Sequence, residues 1–145
     1  MKDMRFRVKA YSANPTKTVV KARGFEVVID EPKELGGTDS GANPVEYLLA
    51  AYAGCINVMA HIIAKEMEFQ LDGVEIDLVG NLNPGRVFGS SFEERAGYKE
   101  IEIVINPKCN ATQEVLDRWL EAIVARCPVG DNVKNNTPVK LRVKQ

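Results

Sequence analysis

Residues 43–64, Asn-Pro-Val-Glu-Tyr-Leu-Leu-Ala-Ala-Tyr-Ala-Gly-Cys-Ile-Asn-Val-Met-Ala-His-Ile-Ile-Ala, carry the reading that decides the fold. Asn43 suits an N-cap, Pro44 the first helical position, and Glu46 falls where a carboxylate can reach back to the cap N–H. From Tyr47 to Ala64 the only polar side chains are Asn57, His61 and the tyrosine hydroxyls. A helix apolar around most of its circumference has to be enclosed on several sides. Its length also reaches the lower limit for crossing a bilayer. That role is set aside, because Asn57 and His61 would be costly in lipid and alternating strands flank the segment. Ala50, Ala51, Ala53, Gly54 and Ala60 are small enough to admit another backbone closely. The expectation is a buried central helix, packed on a second copy of itself.

Upstream, Met4, Phe6, Val8 and Ala10 alternate with Arg5, Arg7, Lys9 and Tyr11, the period of a half-buried strand. Asn14-Pro15 marks a turn, Thr18–Ala22 and Phe25–Asp30 read as strands, and residues 31–42 read as a loop. Downstream, Val74, Ile76, Leu78 and Leu82 line one face of a strand, and Ile101, Ile103 and Ile105 line another. Between them Arg86–Gly97 is polar and glycine-bearing, a loop or lid. Asn110 or Thr112 can cap a second helix, with Val115, Leu116, Trp119, Leu120 and Ile123 on its buried stripe. Val139, Leu141 and Val143 alternate with Lys140, Arg142 and Lys144 as a last strand. The order β-β-β-α-β-β-α-β, with hairpins, predicts an α+β fold. No linker divides residues 1–145, so a single domain is expected.

Composition narrows the function. The 145 residues carry a formal charge of −1, which offers nothing to attract nucleic acid or an anionic membrane surface. Met1–Lys9 is too charged for a signal peptide, so a cytoplasmic location is expected. Three cysteines, Cys55, Cys109 and Cys127, are an odd number, far apart, and unlike a disulfide-stapled secreted scaffold. In a reducing compartment each is inert core, metal ligand or redox group.

Taken alone, Cys55 reads as a packed small hydrophobe. Cys127 differs, since it ends the second helix and precedes Pro128-Val129-Gly130, where a short helix or turn can begin. A thiol at such a start is shifted toward thiolate. Cys109 lies in a surface turn and looks incidental. Zinc is disfavoured: no CxxC occurs, and His61, the only histidine, is six residues from Cys55, off its helical face. Glu46 is explained by the cap, with a catalytic carboxylate as the sharper alternative. Lys17, Arg23 and Arg126 are candidate cations for a thiolate, with surface solvation as their default. Neither GxGxxG nor GK[ST] is present, so no nucleotide site is indicated.

Pro32-Lys33-Glu34-Leu35-Gly36-Gly37, Asn43–Ala51 with Gly54-Cys55, and Cys127-Pro128-Val129-Gly130-Asp131-Asn132 together resemble the OsmC/Ohr family of osmotically inducible and organic hydroperoxide resistance proteins. The resemblance spans nearly the whole chain. It implies an intertwined homodimer, with antiparallel sheets wrapped around long central cysteine-bearing helices and reactive sites at the subunit interface. It also implies that Cys55 attacks the O–O bond of an organic hydroperoxide and becomes a sulfenic acid. Cys127 then closes a disulfide, which an external thiol reduces, a dihydrolipoyl group in the Ohr branch. No bound cofactor or metal is implied. A resolving thiol suits that chemistry because it rescues a sulfenic acid from over-oxidation.

Two positions depart from the family pattern. Its activating glutamate follows the motif proline directly, where this chain has Val45, and Glu46 comes one residue later, rotated by about 100°. Its activating arginine has no secure match; Lys17 is nearest in register and Arg23 is the closest arginine. These departures place the chain nearer the OsmC-like branch. They also sustain an alternative function, a non-enzymatic binding protein holding an apolar ligand or partner at the dimer interface.

Overall fold

A computed structural model describes residues 1–144; Gln145, the last residue of the expected single domain, lies outside the described residues. The chain forms two compact units, Met1–Ala50 and Ala51–Gln145, and the architecture is mixed α+β with small antiparallel sheets, as expected.

The first unit holds a three-stranded antiparallel sheet of β1 (Lys9–Ser12), β2 (Thr18–Ala22) and β3 (Phe25–Ile29), in the order β1-β2-β3. The Asn14 side chain closes the β1–β2 turn by accepting from the Thr16 and Lys17 N–H groups at 2.9 and 2.6 Å. After β3 the chain folds around the buried Asp30 carboxylate. That carboxylate accepts from the Glu31, Thr38 and Ser40 N–H groups at 2.9, 3.2 and 3.1 Å, and from the Thr38 hydroxyl. Gly37 is needed for space, since a Cβ there would fall 1.8 Å from the Glu31 carbonyl oxygen.

Helix α1 (Pro44–Glu66) begins with the predicted capping box: the Asn43 N–H donates to Glu46 Oε2 at 2.8 Å and the Glu46 N–H to Asn43 Oδ1 at 2.9 Å. In the second unit follow β4 (Leu71–Asn81), β5 (Glu100–Cys109), α2 (Gln113–Arg126) and α3 (Pro128–Lys134). β4 and β5 pair antiparallel, Ile76 opposite Ile105 and Leu78 opposite Ile103, with a register shift between Leu71 and Gly73. Thr112 caps α2, accepting from the Val115 N–H at 3.4 Å. Ile56, Ala60, Ile63 and Ala64 of α1 pack with Trp119 and Ile123 of α2 and with Cys127, and Val74, Ile76, Ile103 and Ile105 close over them.

Arg86–Gly97 forms a loop, as expected. The Arg86 guanidinium holds it together, donating to the Glu94 carbonyl at 2.7 Å and to that of Phe92, and stacking over the Phe92 ring.

Three expectations need correction. The N-terminal strand does not run from Met4: β1 begins at Lys9 and Phe6 is 83% exposed. The register explains why, since Lys9 pairs with Lys21 and β2 ends at Ala22, so residues before Val8 run past its end. The last strand is absent among the described residues: Val139, Leu141 and Val143 are exposed and their backbone pairs with no neighbour. Alternation marks a face, but a strand also needs a facing row of N–H and C=O groups. Finally, α1 is not enclosed on several sides by the described residues. Ile56, Ala60, Ile63 and Ala64 are covered, whereas Val58 and Ile62 are 54% and 42% exposed.

Candidate functional site

Two thiols that lie 72 residues apart in sequence meet in the second unit, the Cys127 Sγ–H donating to Cys55 Sγ at 2.9 Å. Both are free, Cys127 buried and Cys55 half-buried. Cys55 projects from the middle of α1 onto the face that also carries Tyr52, three residues earlier. Cys127 is both the last cap of α2 and the first cap of α3. Its own N–H closes α2 on the Ile123 carbonyl at 3.0 Å, and its sulfur accepts from the Gly130 N–H at 3.3 Å. Pro128 at the first position of α3 makes the sharp restart possible, because its missing N–H has no intrahelical partner there.

The environment keeps the Cys55 thiol protonated. Burial pushes its pKa up, the adjoining Cys127 adds to the shift, and the Val129 backbone N–H pulls the other way. Burial likewise raises the Tyr52 phenol, reinforced by charge on Cys127 and Cys55.

Arg126 precedes Cys127 but serves another carboxylate. Its guanidinium grips Glu66 at the end of α1 with two parallel bonds, Nη2 to Oε1 at 2.9 Å and Nη1 to Oε2. The pair lowers the Glu66 pKa and raises that of Arg126. The other candidate side chains lie in the first unit and each has a local partner. Lys17 Nζ donates to Ser40 Oγ at 3.3 Å. Arg23, with φ of 56° at the β2–β3 turn, stacks its guanidinium 5.0 Å from the Phe25 ring centre. The Glu46 carboxylate is engaged in the α1 cap. Cys109 does not lie in the expected surface turn but ends β5 opposite Leu71, half-buried, and His61 is exposed with Nδ1 3.0 Å from the Asn57 carbonyl oxygen.

A cavity of about 450 Å³ opens beside Cys127, between β5 and α2, and Cys55 does not line it. Ile103, Ile105, Leu116 and Ile123 make its apolar wall, Tyr52 and Cys127 line it, and Gln113 and Asp117 contribute polar groups. Tyr52 was not among the residues that the sequence singled out, and Gly130 stood there only as one position of the motif after Cys127. The i, i+3 spacing of Tyr52 and Cys55 was the available sign for the first.

Residues 37–142 match the family model described as OsmC-like protein. The chain is 29% identical over 121 residues, 83% of its own length and 81% of the relative's, to organic hydroperoxide resistance protein OhrB of Bacillus subtilis strain 168. Among solved structures it is similar to an OsmC-like protein from Mycoplasma pneumoniae, with a TM-score of 0.79 and 16% identity, covering 92% of this chain and 89% of that one. An organic hydroperoxide resistance protein from Elizabethkingia anophelis aligns with a TM-score of 0.71 at 21% identity, covering 94% and 93%. At these identities the two structures establish the likeness of fold.

Proposed function

Because this chain belongs to the OsmC-like family, we propose that it is a thiol-dependent redox protein that reduces organic hydroperoxides through a reactive cysteine pair, in defence against oxidative stress. The observation that carries the proposal is the 2.9 Å approach of Cys127 Sγ to Cys55 Sγ. The name of the Bacillus subtilis relative supports the substrate class.

In the first step the Cys55 thiolate attacks one peroxide oxygen. The O–O bond breaks, the sulfur takes an oxygen as sulfenic acid, and the alkoxide leaves and is protonated to an alcohol. In the second step Cys127 attacks the Cys55 sulfur, forming the S–S bond and releasing water with the Cys127 proton. An external dithiol, dihydrolipoyl or similar, then returns two electrons and two protons. Turnover by this route needs help for a thiol that burial holds protonated. The family resemblance alone assigns the activating or positioning roles to Lys17, Arg23 and Glu46, and each would have to give up its local partner, Ser40, Phe25 or the α1 cap, to serve Cys55. The apolar cavity suits an alkyl tail. The working assembly is a homodimer in the cytoplasm, in which the second copy covers the exposed Val58 and Ile62 of α1.

A second reading is favoured by the upward shift of Cys55 together with the apolar cavity: a binding protein that holds an apolar ligand or partner and does no redox chemistry. Intact mass before and after stoichiometric cumene hydroperoxide separates the two, on the unsubstituted protein, Cys55→Ser and Cys127→Ser. Reduction through the pair removes two mass units from the unsubstituted protein. It gives a sulfenic or over-oxidised adduct in Cys127→Ser and neither in Cys55→Ser. An unchanged mass at generous peroxide leaves the binding protein standing.

A further inference from the structure

Gly130 stands between two groups of the thiol site, the Cys127 sulfur and the Tyr52 ring. Its N–H donates to Cys127 Sγ at 3.3 Å. Its α-carbon faces the Tyr52 ring: a Cβ built there would fall 2.8 Å from the Tyr52 hydroxyl oxygen, 3.0 Å from Cε2 and 3.1 Å from Cζ. Tyr52 belongs to the same turn of α1 as Cys55, and Cys127 opens the turn of α3 that holds Gly130. The glycine is buried, and its φ lies outside the left-handed region, so its backbone is open to any residue. What the site requires of it is the absence of a side chain.

We propose that Gly130 is a positioning residue for the resolving thiol, seating the Tyr52 ring on its bare α-carbon and holding Cys127 Sγ by its N–H so that the two sulfurs stay within closing distance. Contacts on both sides of the sulfur pair run through this one residue. A methyl group there has to displace an aromatic ring anchored one helical turn from Cys55, and the displacement separates the α1 turn from the α3 turn. Disulfide closure depends steeply on the mutual placement of two sulfurs, since small misplacements of reacting atoms cost large factors in rate.

The role rests on Cys55 and Cys127 closing a disulfide, the second step of the proposed reaction, and is tested without peroxide. The reduced full-length protein is treated with diamide, which takes up two electrons and two protons as the S–S bond forms. The Cys55–Cys127 bond is followed by peptide mass mapping. Gly130→Ala closes this bond slower than the unsubstituted protein by roughly tenfold. Adding Tyr52→Leu to Gly130→Ala, which makes room for the methyl group, recovers most of the rate. A general loss of structure in Gly130→Ala is identified by its urea midpoint, and would not be relieved by removing a ring. Equal closure rates in the unsubstituted protein and Gly130→Ala overturn the proposal. Slow closure that Tyr52→Leu leaves slow overturns it too, as does an unsubstituted protein that diamide cannot close. Closure with diamide but not with cumene hydroperoxide sinks the peroxidase function and leaves the positioning role intact.

Discussion

The indole N–H of Trp119 donates to the carbonyl oxygen of Ala60 at 2.9 Å, joining α2 to α1 across 59 residues of sequence. Both residues are buried, and the indole also meets the Phe69 ring edge-on at 6.1 Å between centroids. This contact fixes how α2 lies on α1, and therefore where Cys127 emerges relative to Cys55. Trp119→Ala should cost about 3–5 kcal/mol of stability, the usual range for emptying a large aromatic site. Trp119→Phe should cost less, because it keeps most of the packing and loses the donor. Urea unfolding followed by far-ultraviolet circular dichroism measures both, and equal losses would mean that the hydrogen bond to Ala60, absent from both variants, outweighs the packing in fixing α2.

Cys55 alkylation should be slow at neutral pH. Its thiol is pushed up by burial first and by Cys127 second, so the thiolate fraction at pH 7 is smaller than for a free cysteine. Iodoacetamide labelling of Cys55, read by peptide mass, should accelerate at higher pH than a model thiol does, and Cys127→Ala should move the profile downward. The same shift carries a stability consequence. A folded thiol with a raised pKa holds its proton longer than the unfolded chain, so its contribution is complete below about pH 8.5 and is lost as pH rises through the folded value. Labelling as fast as a model thiol at pH 7 would contradict this.

Asp30 should oppose acid unfolding of residues 31–42. The Thr38 hydroxyl and the surrounding N–H groups hold its carboxyl well below the ordinary carboxylate range. Stability from a lowered carboxyl is present above the unfolded pKa of about 3.9 and is lost as pH falls toward the folded value. Asp30→Asn should therefore be less stable than the unsubstituted protein at pH 7, with the gap narrowing below pH 4. Thermal unfolding across that range decides it, and a pH-independent gap would argue against the carboxylate as its source.

Self-association should depend on the uncovered face of α1. Val58→Asp with Ile62→Asp places two charges on it, and light scattering at micromolar concentration should then report 16.0 kDa rather than twice that mass. A monomer before substitution would dispose of the dimer altogether.

Much of the fold could be read from local chemistry. The α1 start was legible because Asn43, Pro44 and Glu46 each have one helical use, and the capping box forms as expected. The β4–β5 hairpin was legible because alternation over ten residues leaves one apolar face, with Ile76 against Ile105 and Leu78 against Ile103. Met4–Val8 and Val139–Val143 misled for a shared reason: they carry the alternation of strands without a strand beside them in the described chain. The site was less legible. Nothing local joins Cys55 to Cys127, and only the family resemblance paired them before the structure set them 2.9 Å apart. Tyr52 escaped notice because an aromatic on an apolar helix has an ordinary explanation, and Gly130 was read only as one position of the motif after Cys127.

Cys127 is one residue serving two helix ends, its N–H closing α2 and its sulfur capping α3 through the Gly130 N–H. Under the proposed reaction, a sulfur that changes bonding partner would also be a structural acceptor, and the Gly130 amide that donates to it would register each change directly. Its proton resonance would serve as a built-in gauge of the thiol state, legible in solution without any added label.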